Sequence, residues 1–354
     1  MQSRIYVRFL QVGQSTLIRM KTKNVRVLVC WLTVCLVLIY LRAQTRMLHR
    51  EVASKTVDQC VSGCLYDLRI IAITYNRAGS LLRLLNSLND AEYILDKVKL
   101  EVWIDRSVDG EVHQPTLQIA NNFSFMHGHY SVEVHPKHVG ILSQWISTWK
   151  PNKKSSEIAV ILEDDLTVSP YFYKYLKRVH KKYDNNPKIN GYALQGYKRN
   201  HTVDNRTFLE GPKGSLVFLY PIVGFWGFSP SRTNWINFVR WCFTAVHNKS
   251  IQPYVPDIIA TKNFKVLQKH GKGDSMWSIW HMYYAWKHNE FTLYTNFKDQ
   301  MGLTVNWQEK GLHFRKALGA TNKLLTEWKS EYDRELPRSP AYLDIKGRII
   351  KNEH

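Results

Sequence analysis

Ile158-Ala159-Val160-Ile161-Leu162-Glu163-Asp164-Asp165 is the stretch on which the reading of this chain turns. Five apolar residues in a row are too few for a helix and read as a strand buried on both faces. Three carboxylates at its C-terminal end would lie in the crevice where open α/β sheets bind ligands. Clustered anions repel one another unless a cation joins them, and a divalent cation carrying a phosphorylated substrate is the leading candidate. The competing reading is that the acids neutralise the N-terminus of the next helix. One Asp would serve that purpose, and three fit it poorly.

The flanking sequence alternates strand and helix. Leu68 to Thr74 reads as a strand, followed by a turn at Asn76 to Gly79 and a helix that Ser80 caps, with Leu81, Leu82, Leu84, Leu85 and Leu88 on one face. Val98 to Ile104 is a second strand, ending at Asp105. Tyr130 to His135 is a third, and a helix runs from about Val139 to Trp149. After the acids, Ser169-Pro170 opens a helix with a cap and an N1 proline. Repeated βαβ units imply a parallel sheet with helices on its faces. Further on, Tyr192 to Tyr197, Leu216 to Tyr220 and Phe291 to Tyr294 read as strands, and Ser231 to Phe243 and Asp274 to Trp286 as helices. Beyond about Glu331 a charged, Pro-containing tail reads as mobile.

The formal charge is +20, from 49 basic and 29 acidic residues; nine of the basic residues and none of the acidic ones fall in positions 1–50. Such a balance suits a membrane surface or an anionic substrate. No helix-turn-helix, zinc-finger or RNA-binding signature accompanies it, so no nucleic-acid partner is expected. Val27 to Leu41 is an uncharged apolar run between Arg26 and Arg42, short for a span but extended by snorkelling arginines. The long basic segment before it favours an uncleaved signal-anchor over a cleaved signal peptide, with the N-terminus cytosolic. A short span suits a thin early-secretory bilayer, which makes a type II Golgi membrane protein the expectation. Sequons at Asn122, Asn200, Asn205 and Asn248 all fall on the lumenal side of that topology. Cys60 and Cys64 are close enough to pair; Cys30 and Cys35 lie in the span, and Cys242 is left over.

From Ala159 to Phe172 the order is strand, E-D-D, hydrophobic, x, V, small, P, then aromatics. This segment resembles the metal-binding segment of GT-A glycosyltransferases, most closely the Golgi protein N-acetylglucosaminyltransferase I group. The resemblance runs from about Leu68 to Phe314. It implies a GT-A (Rossmann-like) α/β fold, a mixed and mainly parallel sheet with flanking helices, preceded here by a single N-terminal transmembrane helix. It also implies a lumenal enzyme that uses a nucleotide-sugar donor with Mn2+ (or Mg2+) and a glycan or glycoprotein acceptor. The expected organisation is a cytosolic tail (1–26), a transmembrane signal-anchor (27–41), a stem (42–66), a catalytic domain (67–330) and a C-terminal tail (331–354). The catalytic domain would divide into a nucleotide-sugar-binding half (67–190) and an acceptor half (191–330).

Carried over residue by residue, the last acid, Asp165, would ligate the metal, with Glu163 and Asp164 touching nucleotide or holding the loop. Thr74, Asn76 and Arg77 match the family's nucleotide-binding turn, and Asp105 its uracil-binding acid. Alone, Arg77 also reads as a solvated helix-start residue and Asp105 as a turn former. Gly224 and Trp226 would line the sugar pocket, a glycine for close backbone approach and an indole face for a pyranose ring; packing against the sheet is the alternative for that aromatic loop. Asp274, in Gly273-Asp274-Ser275-Met276-Trp277, sits where the family places its catalytic carboxylate, although Ser275 replaces a second acid. A helix N-cap is its other reading. His313 is a second candidate metal ligand, and His138 a candidate nucleotide contact. The expectation is a metal-dependent glycosyltransferase, inverting with Asp274 as base. A GT-A-fold lectin or scaffold without turnover is the alternative, and a nucleotidyltransferase a more distant one.

Overall fold

A computed structural model describes residues 4–11, 14–21, positions 31, 33, 37 and 40, and residues 66–151, 155–197, 202, 209–309 and 316–350. The chain divides into two units, Met1–Val61 and Ser62–His354. In the first, strands β1 (Arg4–Gln11) and β2 (Gln14–Lys21) pair antiparallel in full register. The sequence reading offers no strand there; the signal was two runs rich in β-branched and aromatic residues separated by two positions ending in Gly. Most of Val27–Leu41 lies outside the described residues, and so do Cys60 and Cys64. Among the described residues no helix is long and apolar enough to cross a membrane.

The second unit is built on a ten-stranded mixed sheet. Its first half is parallel: β3 (Leu68–Thr74) lies between β4 (Val98–Ile104) and β6 (Ile158–Glu163), and β5 (Gly128–Val134) lies beyond β4. Alternate residues of β3 and β6 serve two separate cores. Ile70, Ala72, Val160 and Leu162 pack on one face, with Leu81, Leu84, Leu85 and Leu88 of helix α1 (Ala78–Asn89), while Leu82, expected on the same face, is turned away from it and exposed. Ile71, Ile73, Ala159 and Ile161 pack on the other, with Trp145 and Ile146 of helix α3 (Gly140–Ser147). Burial on both faces is why these strands read as unbroken apolar runs. Helix α2 (Gln114–Asn122), which the sequence reading passes over, carries β4 back to β5.

The other half interleaves chain directions. Short β10 (Phe228–Pro230) runs antiparallel between β6 and β8 (Ile189–Ala193), followed by β11 (Phe291–Thr295), β9 (Val217–Tyr220), β13 (Ala341–Leu343) and β14 (Ile349–Ile350). Helices α4 (Phe172–Tyr183), α5 (Arg232–Ala245), α6 (Ile259–Lys269) and α7 (Trp277–His288) flank it. A separate two-stranded piece pairs β7 (Leu166–Val168) with β12 (Thr304–Asn306).

Several local expectations are corrected. Ser80 lies inside the first turn of α1 and caps nothing; its hydroxyl donates to the Glu309 carboxylate. Pro170 is not at N1, since α4 starts at Phe172, and Ser169 instead accepts the Tyr171 amide at 3.1 Å. Asp274 lies in a single 3-10 turn, Gly273–Ser275, and α7 begins only at Trp277, behind Met276. The tail is not loose: β13 extends the sheet beside β9, Leu343 is buried, and the Tyr220 hydroxyl donates to the Ile345 carbonyl at 2.9 Å. Its charge pattern hid one apolar strand of three residues. Leu343→Ala is therefore expected to lower stability by about 2–4 kcal/mol, read by denaturant titration; a mobile tail would leave the midpoint unchanged.

Candidate active site

From β3 the chain steps outward through β4 and β5, then returns to place β6 on the opposite side of β3. The strand order therefore reverses between β3 and β6, and such a switch point opens a crevice at the C-terminal strand ends. Ile73 is in register with Glu163, so Thr74 to Arg77 and Glu163 to Asp165 leave the sheet side by side. Two segments more than 80 residues apart in sequence meet there because their strands pair.

The three acids are not left to repel one another. Arg77 forms an ion pair with Asp164 through one terminal nitrogen and donates to Oδ2 of Asp165 at 2.9 Å through the other. Thr74 donates its hydroxyl to Oδ2 of Asp164 at 2.7 Å, and Asn306 donates its amide to Oδ1 of Asp165 at 2.8 Å. The Trp145 indole donates to Oε1 of Glu163 at 3.0 Å. Burial and the neighbouring Asp165 push the Glu163 carboxyl up to about 8. Burial also raises Asp164, against the pull of Arg77, to about 6. The Arg77 guanidinium loses by desolvation and gains more from Asp164, Asp165 and Glu163, so its charge is held more firmly than usual.

A wall of the site comes from the β7–β12 pair, in which β7 directly follows the acids and β12 returns from far along the chain. The Trp307 amide donates to the Asp165 carbonyl at 3.1 Å and its indole to Thr167 at 2.8 Å, while the Arg83 guanidinium lies 5.1 Å from the Trp307 ring. Glu309 accepts from Ser80 and Arg83; these interactions outweigh its desolvation and hold its carboxyl below the usual range. Asn306, Trp145 and Glu309 are site residues that sequence reasoning misses. Each is an ordinary polar or aromatic residue with no local pattern to mark it.

The remaining candidates divide. Asp105 is buried, and both its oxygens are engaged: Oδ1 accepts the amides of Arg106 (2.8 Å) and Val139 (2.9 Å), and Oδ2 that of Gly140 (2.9 Å). It thus pins the start of α3, and His138 is held beside it, with Nδ1 2.7 Å from the Arg106 carbonyl and 3.2 Å from Asp105. Asn76 is exposed at the crevice mouth. Gly224 lies so close to Ala193 that an added Cβ would stand 2.4 Å from the alanine Cβ, so this glycine serves backbone packing on the sheet. Trp226 donates its amide to Gln195 at 2.9 Å and is packed against the core. The turn carrying Asp274 reaches the site side through Trp277, which stacks on Trp145 with ring centroids 3.8 Å apart. His313 lies outside the described residues. Elsewhere Ser229, His180 and Asp184 line up at 2.7 and 2.9 Å like a nucleophilic triad. Ser229 is fully buried with its hydroxyl given to the Ala159 carbonyl, so this is a structural tie.

A hard divalent cation suits this donor set. All the acidic oxygens are hard, and three carboxylates face one guanidinium, itself a stand-in for positive charge at Asp165. Among the described residues no three His, Cys, Asp or Glu side chains converge on one point. A cation here would accordingly take Asp165 together with phosphate and water oxygens, the habit of magnesium-like ions.

No protein-family model matches this chain, and no curated protein matches it. Among solved structures, S. aureus TarS 1-349 aligns at 13% identity over 47% of this chain and 47% of that chain, with a TM-score of 0.33. The same protein in complex with UDP-GlcNAc aligns at 11% identity over 67% of this chain and 60% of that chain, with a TM-score of 0.36. The mannosyltransferase PcManGT from Pyrobaculum calidifontis, in complex with GDP-Man and Mn2+, aligns at 16% identity over 47% of each chain, with a TM-score of 0.27. The chain spans about half the length of the first of these. Two of the three hold a nucleotide sugar, but similarity this slight carries no argument about the present chain.

Raised carboxyl pKa values mean that the fold binds more protons than the unfolded chain between about pH 4 and 8. The contribution of Glu163 and Asp164 to stability therefore falls as pH rises through that window. Glu163→Gln keeps the Trp145 hydrogen bond and removes the titration. It should gain on the unaltered chain by roughly 3 kcal/mol between pH 5 and pH 8, measured by guanidinium denaturation; an equal difference at both values would place Glu163 in its ionised form throughout.

Proposed function

We propose that this chain is a metal-dependent glycosyltransferase of the GT-A type, transferring a sugar from a nucleoside-diphosphate donor to a glycan or glycoprotein acceptor. The observation that carries this reading is the Glu163-Asp164-Asp165 cluster at the switch point between β3 and β6, with Arg77 against it. A crevice holding both anionic and cationic groups suits a diphosphate that arrives with a divalent cation. UDP-GlcNAc is the first donor to test, on the resemblance of the acid segment. A signal-anchor at 27–41 and a Golgi lumenal site remain part of the same reading, supported by the apolar run and its basic flank.

Asp165, with His313 as a second ligand, would hold Mn2+ or Mg2+, an ion whose chemistry there would be positive charge offered to the departing diphosphate. Arg77 adds the chain's own cation at the same end. Asp164 and Thr74 hold Arg77 and the loop in place, and Asn306 orients the Asp165 carboxylate. Trp145 fixes Glu163. In an inverting reaction the bond from the anomeric carbon to the phosphate oxygen breaks as the acceptor oxygen bonds to that carbon. The electron pair leaves with the diphosphate, and Asp274 takes the acceptor proton. The transition state at that carbon is oxocarbenium-like, as in glycoside hydrolysis.

One observation favours a second reading, a lectin or scaffold without turnover. Each acid of the cluster already has a hydrogen-bonding or ionic partner within the protein, so the cluster persists at modest cost with no cation. Two variants separate these. Asp165→Asn is expected to abolish Mn2+-dependent UDP binding in calorimetry, and unchanged affinity would remove the metal assignment. Asp274→Asn should leave UDP binding within about twofold and reduce transfer by 100-fold or more, roughly the scale of general-base catalysis. Transfer near the original rate would put the base elsewhere or make the reaction retaining.

A further inference from the structure

The segment that leads into the Asp274 turn is strongly basic. Residues 249–273 contain five lysines and a single acid, Asp257. Within α6, Lys262, Lys265 and Lys269 fall on one face because 3.6 residues make a turn, and all three are exposed. Thr261 and Phe264 form the inward face. Gly271, at φ +67°, ends the helix with a left-handed step, and the Lys272 amide returns to the Leu267 carbonyl at 2.9 Å. The turn is thereby folded back on the helix end, with Gly273 against Phe264. Lys272 thus continues the basic face to within two residues of Asp274.

What marks these lysines is that they share one face without an acid among them, unlike three of the lysines on α4. On α4, Lys174, Lys177 and Lys182 each pair with a carboxylate, of Asp333, Asp96 and Glu335 respectively. None of Lys262, Lys265, Lys269 or Lys272 pairs with a carboxylate among the described residues. Beside them Tyr254 is half exposed, with the Lys265 ammonium 5.2 Å from its ring centroid, offering an apolar plate edged by positive charge. Apart from Tyr254 and Val266 the face carries little apolar surface. A membrane-lying helix would show Leu, Phe or Trp there, whereas α6 turns its Phe inward.

We propose that Lys262, Lys265, Lys269 and Lys272, with Tyr254, form the acceptor-recognition face, and that the acceptor is an anionic glycan carrying sulfate, phosphate or uronic-acid groups. That this glycan is an acceptor rests on the transferase reading; the anion-binding face does not. Like-signed lysines repel one another and gain most from a polyanion that spans several of them, and the exposed Tyr254 ring suits a sugar. Because the face adjoins the Asp274 turn, a glycan seated on it runs toward the proposed base.

The test uses the purified full chain and a labelled heparin-derived oligosaccharide, followed by fluorescence anisotropy at low and high NaCl, with an uncharged chito-oligosaccharide alongside. The heparin fragment is expected to bind in a salt-dependent manner and the uncharged one to bind far more weakly. Lys262→Glu/Lys265→Glu/Lys269→Glu should weaken heparin binding on the order of tenfold or more. A charge-matched control at other exposed lysines, Lys298→Glu/Lys329→Glu/Lys346→Glu, should stay close to the unaltered chain. Unchanged Mn2+-dependent UDP binding in both variants would show that each is folded. Equal weakening by the two triple variants, equal binding of the uncharged sugar, or tighter binding of phosphatidylserine vesicles through the same lysines would each overturn the proposal. Heparin binding that follows these lysines in a chain that neither binds nor turns over UDP-sugars would uphold the anionic face and remove the transferase.

Discussion

The Arg77 guanidinium, shared between Asp164 and Asp165 at the ends of two paired strands, is the interaction on which this structure depends. Burying a carboxylate without a partner costs several kcal/mol, and burying three in sequence multiplies the repulsion. The fold meets that cost with one cation and several oriented dipoles, from Thr74, Asn306 and Trp145. These partners come from three segments: Thr74 and Arg77 from the end of β3, Trp145 from α3 and Asn306 from β12. The acid cluster is consequently a point where β3, α3, β6 and β12 are tied together as well as a candidate binding site.

That tie explains the placement of otherwise unremarkable residues. The β7–β12 pair lies beside the acids because Asp165 is bonded to it twice, through its side chain to Asn306 and through its carbonyl to Trp307. Asp105 pins α3, and α3 presents Trp145 both to Glu163 and to Trp277, next to the turn that carries Asp274. A disturbance at either end of this series would pass through close-packed rings, which resist small displacements. Chemistry at the crevice and recognition by the basic face of α6 would thus share one rigid support.

The antiparallel half is a different kind of construction. Strands of three residues, β10 and β13, are inserted among longer ones, and each is stable only because neighbours supply both its hydrogen bonds and its apolar cover. A strand this short carries no periodicity to read, which is why Phe228–Pro230 passed as part of an aromatic loop and Ala341–Leu343 as part of a mobile tail. Helix α6 is hard to read for another reason: it buries only Thr261 and Phe264, too few apolar positions to show a helical period.

Local sequence determined the parallel half, the acid triplet and its position at a strand end. Ile70-Ile71-Ala72-Ile73 and Ile158 to Leu162 are apolar without interruption because both faces of their strands are covered, and that demand is visible residue by residue. Arg77 was legible as a charged residue at a strand end, but its partners were not. Only the tertiary structure decided that it neutralises Asp164 and Asp165, that Asp105 accepts the backbone amides of Arg106, Val139 and Gly140, and that Asn306, 141 positions away, holds Asp165. The reason is physical: hydrophobic burial repeats with the period of the backbone and leaves a pattern along the chain. The pairing of buried charges is set by distances across the fold, and those exist only once the strands have found their neighbours.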